Sequence, residues 1–366
     1  MTSPDTVGLI LRAVAAHGLP GAQVTWPERH FDDATWSALL IHVRTQRLEG
    51  LLAAAVRDGA LPVTDSQAEQ AHEEHVNRMC SVLLLEAELL HLSGLLLEAG
   101  LDLRLLKGSA VAHLDYPDPS LRCFGDVDLL VRGSQFDEAV AVFTAAGLKR
   151  RFPQPRPGFD ARFSKGTSFT TPDGIELDLH RTFVMGPFGL TVNLEDLWET
   201  STPVRLGGTE LPALGAETRF LHACFHSALG DKVPRLVPQR DVVQMLLSGH
   251  LNVERIKSLM TAWQARPVVA RAVSLAWEAL GIADVVALSA WAQRYTYDER
   301  TLRALSVYLD DDADYAGKSL AAVRAIPGLG GKVAFTRALA FPSREYLQGR
   351  SRGVSRVRRA FKKRPR

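Results

Sequence analysis

Apolar residues at helical spacing predict two helical stretches before the first strand of this chain. Between residues 33 and 59, leucines, valines and a tryptophan recur at intervals of three and four, which is the repeat of one helix face. This stretch predicts a pair of helices with a break near Gly50. A longer helix is predicted from Ser66, where Ser66 and Glu69 form a capping box, to Gly100, a residue type that favours helix ends.

Further along the chain, apolar and polar residues alternate, which predicts β-strands. Residues 103–131 predict a strand, a Lys-Gly-Ser turn, a short helix and a second strand. On the second strand Asp126 and Asp128 fall on one face, because alternate residues of a strand point the same way. A hairpin follows, with its turn at residues 172–174, and its second arm places Asp178 on the polar face.

These elements predict an α/β (α+β) fold in which a small mixed sheet is flanked by helices. The pattern after the last hairpin is helical from residue 216 to about residue 347, and no linker separates the parts. The expected regions are an N-terminal helical region (1–99), a mixed-sheet core (100–214), a C-terminal helical region (215–347) and a basic tail (348–366) that we expect to be disordered.

The three aspartates indicate the chemistry. Two carboxylates this close on one strand face raise each other's pKa or need a cation between them, so the pattern predicts either a metal or a bound base, at a site that we expect at the protein surface. Asp178 supplies a third oxygen ligand of the kind that Mg²⁺ prefers. Nucleotidyl transfer uses two divalent cations held in this way. We therefore predict two Mg²⁺ ions, with Mn²⁺ as the alternative, bound by Asp126, Asp128 and Asp178.

The Lys-Gly-Ser turn adds a candidate phosphate site. Gly108 lets the backbone approach a phosphate closely, and the hydroxyl of Ser109 can donate a hydrogen bond to it. The helix that follows points the positive end of its dipole to the same place. Each motif is common by itself, whereas their order along the chain, from this turn to the third aspartate, is specific.

The motifs at residues 106–109, 125–131 and 177–180 resemble those of the polymerase-beta-type nucleotidyltransferase superfamily. More closely, the chain is similar to a bacterial family of uncharacterised nucleotidyltransferases, whose genes often lie beside those for peptide natural products or polysaccharides. The similarity extends from about Trp36 to the helical region that contains Asp241. The resemblance implies an enzyme that moves a nucleoside monophosphate from an NTP, with ATP expected, to a hydroxyl or phosphate acceptor and releases pyrophosphate.

The resemblance also implies roles for individual residues. Asp126 and Asp128 hold both metal ions, and Asp178 completes the site and helps to activate the acceptor hydroxyl. The expected nucleotide-binding residues are Lys107, Gly108, Ser109 and Arg122. Lys107 and Arg122 have an alternative role as structural counter-charges of the carboxylates. The expected partners are an NTP and a small-molecule, peptide or sugar acceptor.

Four further residues are weaker candidates for the site: His180, Lys232, Arg235 and Asp241. His180 shares a face with Asp178 and is either a base, a metal ligand or a base-stacking group, or else a hydrogen-bonded histidine beside the site. Family members usually carry an aromatic residue after this histidine, where this chain has Arg181, and a tryptophan just before the later aspartate, where it has residues 238–240 (Pro-Gln-Arg). These departures leave a non-catalytic nucleotide-binding scaffold as a second interpretation.

The C-terminal end has an unusual charge. The segment from Arg344 to Arg366 carries eight arginines and two lysines against one glutamate, a net charge of +9, so the rest of the chain carries −7. Such a tail can bind RNA, DNA or an anionic membrane surface through its cations, which gives a third interpretation as an RNA-end nucleotidyltransferase or nucleic-acid binder. The alternative is a solvated end that binds nothing.

Composition indicates a cytoplasmic protein. The chain is 46% hydrophobic and 23% charged, as in ordinary globular proteins, and its three widely spaced cysteines argue against a disulfide framework. No basic segment precedes the apolar N-terminal stretch, and no run of about 18 apolar residues is present, so no membrane span is expected. The oligomeric state is left open.

Overall fold

A seven-stranded mixed sheet forms the centre of the protein, and helices precede and follow it in the chain. The structure is a computed structural model that describes residues 4–231, 233–283, 286–309 and 321–348. The predicted α/β fold class is confirmed. Lys232 and nearly all of the basic tail lie outside the described residues, so the expectations for them stay predictions.

Four helices precede the sheet: α1 (Pro4–Ala16), α2 (Asp33–Gln46), α3 (Glu49–Arg57) and α4 (Asp65–Glu98). The predicted pair of helices is present, and the break between α2 and α3 lies at Arg47 and Leu48, two to three residues before Gly50. Arg47 takes a left-handed conformation with φ of 59° and caps the end of α2. Gly50 lies inside α3, where an added Cβ would come within 2.2 Å of the Ser120 carbonyl oxygen, so close packing explains this glycine.

Helix α4 is long and apolar enough to be either a core helix of a globular protein or a membrane span. Its capping box is formed by Thr64 and Gln67, two residues before the predicted pair. Contrary to the expectation from the sequence, its apolar part reaches a mean hydropathy of 1.7 over 18 residues, which by length and composition suits a membrane span, and 33% of that window is buried. A long core helix has the same properties, and Leu89 and Leu92 do pack in the core, so the helix is weak evidence of a span.

The strands are β1 (Leu103–Leu105), β2 (Val127–Val131), β3 (Lys149–Arg150), β4 (Gly166–Thr170), β5 (Glu176–His180), β6 (Ser201–Leu206) and β7 (Thr209–Leu214). Their order in the sheet is β3-β4-β5-β2-β1-β7-β6. Strand β2 runs antiparallel to β1 and parallel to β5, and β4 and β5 form the predicted hairpin. The sheet therefore places the Asp-x-Asp segment directly beside the hairpin arm that carries Asp178.

The remaining helices connect the strands or follow the sheet. The connecting helices are α5 (Lys107–Asp115), α6 (Phe136–Ala145), α7 (Phe159–Phe163) and α8 (Pro187–Thr191). The later helices are α9 (Ala216–Leu229), α10 (Leu236–Leu247), α11 (Val253–Ala262), α12 (Arg266–Leu280), α13 (Ala287–Gln293), α14 (Glu299–Leu309) and α15 (Leu329–Ala340). Helix α15 packs its Phe335 against the two phenylalanines of α7.

The two faces of the sheet differ in chemistry. On one face Val127, Leu129 and Leu177 belong to a hydrophobic core that includes α4 and α6. The other face carries Asp128 and Leu130, and Leu130 packs into a larger core formed by α1–α3 together with α9–α14. The helices before and after the sheet thus share one core over the face that carries the aspartates.

Helix α1 is joined to this shared core through Arg240, a fully buried residue of α10. Its Nη1 donates to the carbonyl oxygens of Ala15 and His17, at 2.6 and 2.8 Å, where α1 ends. Further along, Ala22 forms a β-bridge with Ile282 just after α12. Helix α1 and the segment that follows it are therefore part of the same folded body as the later helices.

Candidate active site

The register of two parallel strands brings Asp128 and Asp178 together. Asp128 of β2 lies opposite Asp178 of β5, and His180 follows two residues later on the same face. One ligand atom from each of these three side chains lies within 4.8 Å of the other two. Carboxylate and imidazole groups at such distances form an arrangement that could hold a metal ion.

Asp126 is placed differently from the other two aspartates. It lies in a bend one residue before β2, and its side chain is 31% exposed. Its Oδ1 pairs with Nη1 of Arg47 at 3.3 Å. Of the three predicted metal ligands, only Asp128 and Asp178 lie side by side in the sheet, and the third member of the three-residue group is His180 in place of Asp126.

Asp128 is buried, whereas the sequence led us to expect a surface carboxylate. Only 2% of its side chain is exposed, and its Oδ1 accepts hydrogen bonds from Lys107 Nζ at 2.6 Å and from His180 Nε2 at 2.9 Å. Burial alone would raise the pKa of Asp128, but the positive charge of Lys107 and the hydrogen bond from His180 outweigh it and hold that pKa well below its usual value. Asp128 is thus an ionised carboxylate at neutral pH.

Asp178 is held from the neighbouring hairpin arm. Ser168 lies opposite it in β4 and donates a short hydrogen bond to its Oδ1, and Lys165 Nζ lies 3.3 Å from its Oδ2. Burial raises the pKa of Asp178, but Lys165, His180 and the hydroxyl of Ser168 together lower it below its usual value. A second ionised carboxylate therefore lies beside Asp128.

His180 is buried between the two aspartates. We place the single proton of the neutral ring on Nε2, because Asp128 Oδ1 at 2.9 Å is a closer and charged acceptor, whereas Nδ1 lies 3.3 Å from the carbonyl oxygen of Thr182. Nε2 also lies 3.8 Å from Asp178 Oδ2. Burial is the main reason that the pKa of His180 is lowered, and the charge of Lys165 adds to the effect. The side chain is therefore a neutral donor that orients Asp128.

Lys107 begins α5 in an unusual backbone conformation. Its φ is 35°, a value that only glycine adopts without strain. Burial lowers the pKa of Lys107, but the carboxylates of Asp128, Asp126 and Asp178 raise it above its usual value, so the ammonium stays charged. The next residue, Gly108, packs closely against Phe124, since an added Cβ would lie 3.2 Å from that ring. Lys107 thus combines a strained backbone with an ammonium group that donates to Asp128.

Ser109 is engaged away from the aspartates. Its hydroxyl donates to Glu86 Oε1 of α4 at 2.7 Å, and the ring of His113 lies 2.8 Å from the same oxygen. The structure therefore does not bring the hydroxyl of Ser109 to Asp128 or Asp178. Its expected role in phosphate binding stays a prediction.

Arg122 forms a buried ion pair with Asp241 on α10. The Nη2 to Oδ2 distance is 2.8 Å, and Tyr116 donates to Oδ1 of the same carboxylate at 2.8 Å. Burial works against the charge of Arg122, yet Asp241 raises the pKa of the guanidinium above its usual value. Two predicted site residues thus pair with each other and attach the loop before β2 to α10. Arg235 pairs instead with Asp231, at 2.7 Å.

Sequence reasoning missed Arg47, Lys165 and Ser168. The hairpin turn at residues 172–174 fixes the register that sets Ser168 opposite Asp178, so counting back from the turn would have found this residue. Lys165 lies just before β4, beside the same aspartate. Arg47 is 79 residues from Asp126 in the chain, and no sequence pattern indicates that contact.

Residues 32–281 match the family described as uncharacterised nucleotidyltransferases. The chain belongs to this family. The protein is therefore an enzyme of the nucleotidyltransferase class, and the predicted resemblance is confirmed. No curated protein matches this nucleotidyltransferase.

Several solved structures are similar to parts of this nucleotidyltransferase. ANT(2'')-Ia in complex with adenylyl-2''-tobramycin is 18% identical over 49% of this chain and 97% of its own, with a TM-score of 0.35. The lincosamide antibiotic adenylyltransferase LnuA, bound to lincomycin, is 17% identical over 44% of this chain and 95% of its own, with a TM-score of 0.31. An antigenic nucleotidyltransferase-like protein from Paracoccidioides brasiliensis is 17% identical over 55% of this chain and 93% of its own, with a TM-score of 0.30.

Proposed function

We propose that this nucleotidyltransferase transfers a nucleoside monophosphate from an NTP to a hydroxyl or phosphate acceptor, with Mg²⁺ as the cofactor and pyrophosphate as the second product. The observation that supports this most strongly is the pairing of Asp128 with Asp178 across two parallel strands, in a chain that belongs to a nucleotidyltransferase family. Both carboxylates are ionised and lie on the same face of the sheet. They therefore offer the hard, negative oxygen ligands that a divalent cation needs.

The residues present fit a divalent cation. Asp128 and Asp178 would hold it through their oxygens, with Asp126 as the third carboxylate, and His180 would keep its hydrogen bond to Asp128. Because the ligands are then mainly carboxylates, Mg²⁺ or Mn²⁺ suits the site better than Zn²⁺. Bound there, the cation would neutralise charge on the triphosphate and lower the pKa of the acceptor hydroxyl.

The proposed step forms one bond and breaks one. The acceptor oxygen attacks the α-phosphorus, and the bond from that phosphorus to the oxygen bridging to the β-phosphorus breaks, so pyrophosphate leaves with the bonding electrons. Asp178 accepts the proton of an acceptor hydroxyl, which its ionised state permits. Lys107 and His180 keep Asp128 ionised and fixed in place. The protein contributes mainly positioning and charge.

The donor and acceptor are proposed from the resemblance described above. We propose ATP as the donor and a small molecule, peptide or sugar as the acceptor, as in natural-product biosynthesis, with the cytoplasm as the location. The three cysteines are all free, which agrees with a reducing compartment.

The proposal is tested by labelling the α-phosphate. The purified protein is incubated with each of the four α-labelled NTPs, Mg²⁺ and pools of acceptors, with γ-labelled ATP as the parallel reaction. We expect label from the α-phosphate to enter an acceptor, pyrophosphate to be released, and EDTA to stop both until Mg²⁺ or Mn²⁺ is restored. Transfer of the γ-label alone, or no pyrophosphate from any NTP, would contradict the proposal.

His180 offers a matched pair of substitutions. His180→Gln keeps an N–H at about the position of Nε2, whereas His180→Ala removes the donor to Asp128. We expect His180→Ala to weaken Mn²⁺ binding about 10- to 100-fold, the usual effect of losing a group that orients a metal ligand, and His180→Gln to recover most of it. Calorimetric titration with Mn²⁺ measures this. Equal losses in both variants would instead make the imidazole a direct ligand.

A further inference from the structure

Each site carboxylate is paired with one cation from a different part of the chain. Asp126 pairs with Arg47 at the end of α2, Asp128 with Lys107 at the start of α5, and Asp178 with Lys165 before β4. A divalent cation that binds these carboxylates competes with the side-chain cations for the same negative charge. The strength of each pair therefore decides which side chain can leave its aspartate.

Two of the three pairs are loosely held: Lys165 lies 3.3 Å from Asp178, and the pair between Arg47 and Asp126 is equally long. The 3.3 Å contact of Arg47 is long for a charged hydrogen bond, and the side chains of this pair are 30% and 31% exposed. In contrast, Lys107 Nζ lies 2.6 Å from Oδ1 of buried Asp128 and is firmly held there. A guanidinium carries five N–H donors, and among the described residues only this one side-chain hydrogen bond engages those of Arg47. Arg47 can therefore turn to another acceptor at small cost.

The position of Arg47 is fixed by the backbone on both sides of the contact. Its left-handed φ of 59° ends α2 and directs the chain away from the helix axis. Its guanidinium lies over Gly125, the residue before Asp126, where an added Cβ would be 2.8 Å from Nη2. Glycine thus leaves the space that the planar guanidinium occupies beside the carboxylates. A planar fork of donors matches the oxygens of phosphate groups.

We propose that Arg47 is a triphosphate-binding residue, which pairs with Asp126 in the nucleotide-free protein and with phosphate oxygens of the bound NTP once a divalent cation occupies the carboxylates. This inference rests on the proposed function and adds a residue from the N-terminal helices to its site. It also gives Arg47 two opposing effects, because the same charge competes with the metal and attracts the nucleotide.

The opposing effects give a signature that a purely structural residue would not show. In Arg47→Ala, Mn²⁺ alone should bind about two- to fivefold more tightly, since an exposed pair to Asp126 is lost. The complex of Mn²⁺ with α,β-methylene ATP, which cannot transfer its nucleotide, should bind about 10- to 100-fold more weakly through the loss of charged hydrogen bonds to phosphate. Both affinities are measured by calorimetry on the full chain, without turnover.

Arg44→Ala is the matched control, because Arg44 is also an arginine of α2 but is exposed and pairs with Glu74. It should change neither affinity. Arg47→Lys keeps the charge but loses the planar guanidinium with its paired N–H donors. It should therefore leave Mn²⁺ binding near the wild-type value and weaken nucleotide binding by less than Arg47→Ala does. The left-handed φ is equally unfavourable for alanine, lysine and arginine, so these substitutions add no backbone strain.

The outcomes separate this inference from the proposed function. If the wild-type protein binds the nucleotide complex and Arg47→Ala binds it equally well, the inference is wrong and the proposed function stands. If Arg47→Ala weakens both Mn²⁺ and nucleotide binding, Arg47 is structural. If the wild-type protein binds neither, the proposed function itself fails. Should Arg47→Ala not fold, Arg47→Lys decides, since unchanged nucleotide affinity there would overturn the role of the fork.

Discussion

Asp178→Asn is expected to reduce pyrophosphate release at least about 1,000-fold, which corresponds to several kcal/mol of lost stabilisation at the metal site. The variant should keep its fold, because asparagine retains an oxygen to accept the hydrogen bond from Ser168. Lys165 loses its ion-pair partner in this variant, but its side chain is partly exposed, so water can solvate the charge. Steady-state pyrophosphate release and thermal unfolding measure the two quantities. The same substitution at Asp128 should abolish turnover too, but at a cost in stability.

The cost at Asp128 follows from its burial. Asparagine there leaves the buried ammonium of Lys107 without the carboxylate that it donates a hydrogen bond to, so we expect the free energy of unfolding to fall by about 3 kcal/mol. Glu176→Gln is the control, because Glu176 lies on the same strand and face as Asp178 but pairs with exposed Arg151. Turnover above a tenth of the wild-type rate in Asp178→Asn, or a loss as large in Glu176→Gln, would contradict the assignment.

Arg122→Ala is expected to lower the free energy of unfolding by about 3–5 kcal/mol, because it leaves the carboxylate of Asp241 buried without its partner. The double variant Arg122→Met/Asp241→Leu removes both charges and should recover much of that loss. Chemical denaturation followed by circular dichroism measures both.

This experiment also separates the two roles considered for Arg122. Stability that does not change, together with nucleotide binding weakened about tenfold or more, would show that Arg122 is the nucleotide ligand that the resemblance implies. Loss of stability in the single variant and its recovery in the double variant would show that the pair attaches the loop before β2 to α10.

Short-range sequence patterns predicted the part of the site that lies in the sheet. The alternation in β2 and β5 placed Asp128 and Asp178 on polar positions, and the hairpin turn fixed where β5 begins. Such patterns are short-range, because side chains of a strand alternate regardless of what covers them. The burial of Asp128 was not predictable in this way, since it depends on the later helices that pack over that face.

Contacts between distant parts of the chain account for what the sequence did not predict. Arg122 and Asp241 are 119 residues apart, and Arg47 and Asp126 are 79 apart. The sequence around a single arginine or aspartate does not indicate its ion-pair partner, so both pairs can be identified only from the packed structure. The same holds for the end of α2, where Arg47 rather than a glycine takes the left-handed position.

The attachment of α1 to Arg240 determines where this protein can be divided. The family match begins at residue 32, after α1, and ends at residue 281, before α13 and α14. A fragment with those limits would leave the guanidinium of Arg240 buried without the carbonyl oxygens of Ala15 and His17, and would remove Val14 from the shared core. We therefore expect the unit that folds by itself to be larger than the region that sequence similarity delimits, and a fragment cut at the limits of the match to aggregate when expressed.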